Sequence, residues 1–170
     1  EVYESDNKYI IYSEDKYLLG KTDINSDNYD ILIFARRDIE EAIIPSNIKI
    51  ISSGAFSKCR KLRRVIFQNN SQLHTIKKWV FCESSIESII IPSSVSTIEE
   101  CCFYDCHNLK CIEFEENSKL LKMNNIFTPE LTEIISFPSN IQEFDEDWCF
   151  CFENLTKIKM SKSTLNGSYI

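Results

Sequence analysis

The chain has 170 residues, a formal net charge of −7, 43% hydrophobic and 12% aromatic content, 8 Cys, and only 3 Gly and 4 Pro. Such a length buries a core without disulfides or metal, so one domain is expected, and the composition excludes collagen, disordered chains and coiled coils. Scarce Gly, with no G-x-G-x-x-G or G-x-x-x-x-G-K, excludes phosphate-loop chemistry; the acidic balance argues against a nucleic-acid partner; and no apolar run of about 18 residues predicts membrane insertion.

The opening EVYESDNKYI reads as neither a signal nor a transit peptide. Segments 8–12 (KYIIY) and 16–20 (KYLLG) flank Ser13-Glu14-Asp15 and predict a hairpin. Residues 21–29 (KTDINSDNY) read as a polar loop, and 30–34 (DILIF) as a third strand. Together 1–38 are expected to form an N-terminal β cap, because the end of a stacked array exposes apolar surface.

From residue 39 the chain repeats itself. Pro45, Pro92 and Pro138 each sit in an apolar-Pro-Ser triplet, spaced 47 and 46 residues apart. Midway, 70–73 (NSQL) matches 117–120 (NSKL), so the finer unit is about 23 residues. Each unit carries an apolar-x-x-apolar-x-apolar segment: 39–44 (IEEAII), 62–67 (LRRVIF), 86–91 (IESIII), 109–114 (LKCIEF), 131–137 (LTEIISF) and 155–160 (LTKIKM). The fifth is one residue longer, which predicts a bulge near Ile134-Ile135. Between these segments 51–59 (ISSGAFSKC) aligns with 98–106 (IEECCFYDC); 76–81 keeps the same step, 144–150 is a stretched version and 123–127 a shortened one. The alternating segments predict strands, and the A-F-x-x-C stretches predict short helical or 3₁₀ turns on the opposite side. The expected architecture is an α/β repeat: a β-rich solenoid of about six coils over 39–160, roughly 24 Å long at a spacing of about 4.8 Å, with a short tail at 161–170. Its open last coil is a candidate edge for self-association.

The pattern I-P-S-x-V/I-x-x-I-x-x-x-A-F-x-x-C-x-x-L-x-x-I, best matched from Ile44-Pro45-Ser46 to Val65 and from Ile91-Pro92-Ser93 to Ile112, resembles the BspA-like leucine-rich repeats. Segment 34–39 (FARRDI) is similar to a lead-in of their protozoan branch. The coil at 115–137 departs from the pattern by lacking Ala-Phe-Cys, and the coil at 138–160 by carrying Trp148-Cys149-Phe150-Cys151-Phe152 instead. The resemblance implies a leucine-rich-repeat solenoid, a non-enzymatic surface antigen serving adhesion or protein–protein recognition, and a cell-surface or secreted location. Nothing in the residues themselves sets aside a cytoplasmic one.

Reactive groups offer little. Cys59 and Cys106 occupy the same position two coils apart, about 9–10 Å by strand spacing, beyond the roughly 7 Å a disulfide spans. Cys101, Cys102, Cys106 and Cys111 beside His107 lack paired C-x₂-C spacing, so no metal or other cofactor is expected. His74 and His107 fall in spacer slots, and acid pairs such as Glu99-Glu100 in solvated loops, so no catalytic residue is assigned. Sequons at Asn69, Asn154 and Asn166 are candidate glycosylation sites. In L-x-x-I-x-I the first, fourth and sixth residues point inward. The third and fifth then line the concave strand face, where solenoids recognise partners. These are Arg64 and Ile66, Ser88 and Ile90, Cys111 and Glu113, Lys157 and Lys159, and, across the expected bulge, Glu133 and Ile135. An unidentified protein ligand is the expected partner.

Overall fold

The computed structural model describes residues 9–126, 134–144 and 156–160. Its strands are β1 (Ile10–Ser13), β2 (Tyr17–Gly20), β3 (Ile31–Ala35), β4 (Glu41–Ile44), β5 (Ile50–Ile51), β6 (Arg64–Phe67), β7 (Thr75–Ile76), β8 (Ser88–Ile91), β9 (Thr97–Ile98), β10 (Cys111–Phe114), β11 (Lys122–Met123), β12 (Ile134–Phe137), β13 (Glu143–Phe144) and β14 (Lys157–Met160). One sheet is the parallel ladder β4-β6-β8-β10-β12-β14, whose six rungs make about five turns of a solenoid. The opposite wall is β1-β2-β3-β5-β7-β9, with β11 and β13 forming a separate pair. At the start of the chain β1 and β2 are antiparallel, joined through Glu14 and Asp15 at φ 52° and 53°; β2 is antiparallel to β3, and β3 parallel to β5.

Ladder positions follow the inward pattern. Ile39, Ala42 and Ile44; Leu62 and Val65; Ile86, Ile89 and Ile91; and Leu109, Ile112 and Phe114 are all buried, with Phe67 partly so. The fifth rung differs from expectation. β12 pairs in register, Ile134 with Cys111 and Lys157, Ile135 with Ile112 and Ile158, and no register shift interrupts it. β12 itself therefore carries no bulge, and Ile135 is core rather than surface. Glu133 lies outside the described residues, as do Trp148 to Phe152, the tail at 161–170, residue 127 of the shortened turn and 145–150 of the stretched one.

The A-F-x-x-C segments are turns, and among the described residues none is helical. Ala55, Ser57 and Cys59 donate their N–H groups three residues back, to Ser52, Gly54 and Phe56. The residues between them, Gly54, Phe56 and Lys58, donate instead to Lys78, Val80 and Cys82 of the next coil. A helix would consume every N–H within its own segment. Here half are spent on stacking, and positive φ at Gly54 and Lys58 stops propagation. The positions recur at Trp79 and Glu83 and at Cys101 and Asp105, also at positive φ. Only the first coil uses Gly there; a Cβ on Gly54 would meet nothing nearer than Ser57 Cβ at 3.8 Å, so glycine serves the backbone angle and not a lack of space.

Behind these turns the core carries a column of rings. Phe56 stacks on Phe81 and Phe81 on Phe103, each with centroids 5.4 Å apart and interplanar angles of 20° and 7°. Tyr17, from the hairpin, meets Phe56 edge-on at 6.3 Å. Its hydroxyl accepts the Ile43 N–H on the ladder at 3.1 Å, and burial pushes its phenol up to about 12. The loop before β3 is tied down by buried Asp30, which accepts from Thr22 N (2.8 Å) and Oγ1 (2.6 Å) and pairs with Lys49 at 3.1 Å. Burial works against its charge, but the Thr22 and Lys49 hydrogen bonds outweigh that and hold the carboxyl below its ordinary value.

Pairing along the ladder alternates. β4–β6, β8–β10 and β12–β14 pair over four residues, whereas β6–β8 pairs only at Arg64 with Ser88 and β10–β12 only at two positions. The residue after the strand follows the same alternation. Gln68 N–H donates to Ile44 O and Glu115 N–H to Ile91 O; at the same place β8 and β12 are followed by Pro92 and Pro138, which have no N–H to give. Side chains reinforce the closed joints: Gln68 Oε1 accepts from Ser46 N–H (3.1 Å) and Glu115 Oε2 from Ser93 N–H (2.8 Å). Coils thus pair along the ladder two by two, in step with the 47- and 46-residue Pro spacing, with shorter pairing between the pairs.

Truncating the middle ring tests the column. Phe81→Ala is expected to cost about 3–5 kcal/mol, read as a lower urea midpoint at unchanged slope. A loss under about 1 kcal/mol would show that the column is not a main support.

Candidate binding surface

Alternation along each rung sends two side chains outward, and successive rungs set them in two rows. One row reads Glu41, Arg64, Ser88, Cys111 and, on the last rung, Lys157; the other reads Ile43, Ile66, Ile90, Glu113, Ser136 and Lys159. Arg64, Ser88, Lys157 and Lys159 are exposed. Ile43, Ile66 and Ile90 stand 43, 44 and 55% exposed, a side-by-side apolar column on three neighbouring rungs. Ser136, by contrast, is buried.

Ion pairs frame the column. Arg64 meets Glu41 at 2.8 Å, Arg63 meets Glu87 at 2.6 Å, and Lys159 reaches Glu113 at 3.7 Å. The expected face residues thus fall into two groups. Arg64, Ile66, Ser88 and Ile90 surround one groove of about 280 Å³, together with Phe67 and Glu115. Glu113 and Lys159 form a separate charged patch farther along, with Lys157 on the same last rung. Glu41 and Ile43 extend the surface by one rung. The sequence signal for them was present, since 39–44 carries the same pattern as the other rungs; counting outward positions from the first repeat would have found them.

The remaining candidates separate just as clearly. Asn69 is exposed in the turn after β6, while Asn154 and Asn166 lie outside the described residues. His107 Nε2 meets Asp105 Oδ1 at 2.9 Å, and His74 Nδ1 lies 2.9 Å from the Thr75 hydroxyl; the two sit on different coils. Cys59, Cys82, Cys101, Cys102, Cys106 and Cys111 are free thiols. Burial raises all six; Cys106 reaches about 11, although hydrogen bonds with Ser84 pull the other way. Cys106 Sγ donates to Phe81 O at 2.9 Å and Cys59 Sγ to Arg36 O at 3.8 Å, so these thiols join one coil to the chain before it. Among the described residues no cluster of three or more His, Cys, Asp and Glu is arranged to hold a metal, and no helix is long and apolar enough to cross a membrane.

Parallel rungs at a 23-residue repeat, with an outward row of side chains and a turn segment behind, define a leucine-rich-repeat solenoid. The model of the BspA-type leucine-rich repeat region matches residues 31–159 in six copies, and the chain belongs to that family. Among solved structures it is similar to the pneumococcal vaccine antigen PcpA, at 23% identity and TM-score 0.59 over 71% of this chain and 29% of that one. It is also similar to leucine-rich-repeat proteins from Eubacterium ventriosum (18%, 0.57, 96% and 54%) and Bacteroides capillosus (17%, 0.53, 90% and 93%). The chain therefore spans under a third of the pneumococcal antigen, and at these identities the likeness is one of fold. No curated protein matches the chain.

The raised thiols set a kinetic signature. Native alkylation of Cys102 and Cys106, followed residue by residue by mass spectrometry, should be slow at pH 7 and still climbing at pH 10, because their thiolates form only above the ordinary range. Rapid modification of either at neutral pH would point to an activated nucleophile.

Proposed function

We propose that the chain is a non-enzymatic recognition module that binds a protein or cell-surface ligand, in an adhesion-type role, through its ladder face. The observation that carries this reading is the Ile43–Ile66–Ile90 column. Large apolar side chains stand exposed on three adjacent rungs, ringed by ion pairs, where ordinary solvated sheet faces place polar residues. Arg64, Ser88, Glu113, Lys157 and Lys159 complete the surface as its polar surround. A cell-surface or secreted setting draws support from family membership and from the likeness to a pneumococcal antigen.

A second reading, self-assembly through the far end of the ladder, rests on a separate observation. Ile158 and Met160 pair in register with buried Ile135 and Phe137, yet each is 58% exposed. Their inward side chains offer a second copy an apolar edge.

Two measurements follow. The triple substitution Ile43→Ser, Ile66→Ser, Ile90→Ser should weaken binding of a partner captured from host-surface or self lysates by tenfold or more, with thermal unfolding little changed; undiminished binding would move the site off this face. Light scattering at high concentration should give a dimer mass that Ile158→Asp returns to monomer; a strict monomer in the unaltered chain ends the second reading.

A further inference from the structure

We infer that the seam between β6 and β8 is a peptide groove for an extended segment of a protein partner that carries one large aliphatic or aromatic side chain with a Lys or Arg close by in sequence. The inference rests on the ladder-face reading and narrows it to one place and one ligand chemistry.

The groove lies where pairing along the ladder is shortest. β6 and β8 pair only at Arg64 with Ser88, Pro92 brings no N–H to the end of the joint, and an opening of about 280 Å³ lies over Ile66, Phe67 and Ile90. A cavity of about 150 Å³ already holds a benzene ring, so there is room for a large side chain. The equivalent seam at Pro138 is different: there Lys159 reaches back across β12 to Glu113 at 3.7 Å, and Ser136 beneath is buried.

Charge selects the rest of the ligand. At one end of the groove Arg64 is balanced by Glu41 at 2.8 Å. At the other, Glu115 lines both the groove and an adjoining pocket of about 190 Å³ shared with Gln68, Asn70, Ser71, Ser93 and Ser94. The Glu115 carboxylate accepts a backbone N–H from Ser93 at 2.8 Å, and the pocket contributes no cationic side chain. A basic side chain placed there meets an acidic group among neutral hydrogen-bonding partners, and the −7 charge of the chain favours its approach.

The test uses the full chain and an immobilised library of acetylated nonapeptides in which one position is Leu, Ile or Phe and another, two to four residues to either side, is Lys, Arg, Glu or Ser. Selection of apolar-plus-basic peptides is expected. Affinity should fall at least tenfold with Ile66→Ser, and should fall with Pro92→Gln, which supplies an N–H at the end of the seam where Gln68 supplies one at the joint before it. Glu115→Gln should abolish the preference for Lys and Arg while leaving the apolar preference. Thermal unfolding controls for fold, and Ile90→Ser serves if Pro92→Gln does not fold. A library from which nothing is selected, or selection indifferent to Glu115→Gln and to every groove substitution, overturns the inference. Peptides lost only with Ile43→Ser overturn the groove while leaving the ladder face standing as a binding surface.

Discussion

Among the described residues, three successive turns spend about half their N–H groups on the coil that follows. Phe56 and Lys58 give their N–H groups to Val80 and Cys82; Phe81 and Glu83 give theirs to Cys102 and Tyr104; Cys101 and Phe103 give theirs to Asn125 and Ile126. A buried N–H without a partner costs about 1–3 kcal/mol, so the turns at Phe56, Phe81 and Phe103, whose residues are buried, depend on the coil that follows. The ring column follows from the same constraint: once successive turns are locked in register, Phe56, Phe81 and Phe103 fall face to face, and the apolar row beside them closes the core.

This dependence explains why the turn backbone bears strain at Trp79 and Cys101. Positive φ costs a non-glycine residue about 1–2 kcal/mol, but abandoning it would sever bonds to both neighbours. Trp79 recovers part of that cost by meeting Tyr104 of the next coil edge-on at 5.3 Å. The Cys residues at the turn corners fit the same logic. A small, weakly polar group serves as core filler and still offers a hydrogen bond to the chain behind it, as Cys106 does to Phe81 O.

Much of this was legible in the residues. The inward positions of the first four rungs, the hairpin at the start and the 23-residue period all follow from the spacing of apolar side chains, because burial on one face of a strand leaves a period-2 imprint. Three features were not legible. The additional residue in 131–137 predicted a bulge near Ile134-Ile135, and only the register with Cys111 and Lys157 shows that the strand runs through without one. The turn segments show helical spacing, yet the choice between bonding within a coil and between coils depends on the neighbour's presence. The groove depends on which strand lies beside the residue preceding Pro92, a long-range fact. The spacing of the prolines was visible from the outset; the missing donor acquired meaning only once Phe67 was seen beside it.

The alternating joints also set the grain size at which such a molecule can grow or shrink. Duplicating one coil would place two proline-ended rungs, or two glutamine- or glutamate-ended ones, next to each other, and a locked joint would lose its complement. Duplicating two coils together, a block of about 47 residues, keeps the alternation of long and short joints. Changes of length by recombination are therefore conservative in pairs and disruptive singly, and the heritable module of this solenoid is twice its visible repeat.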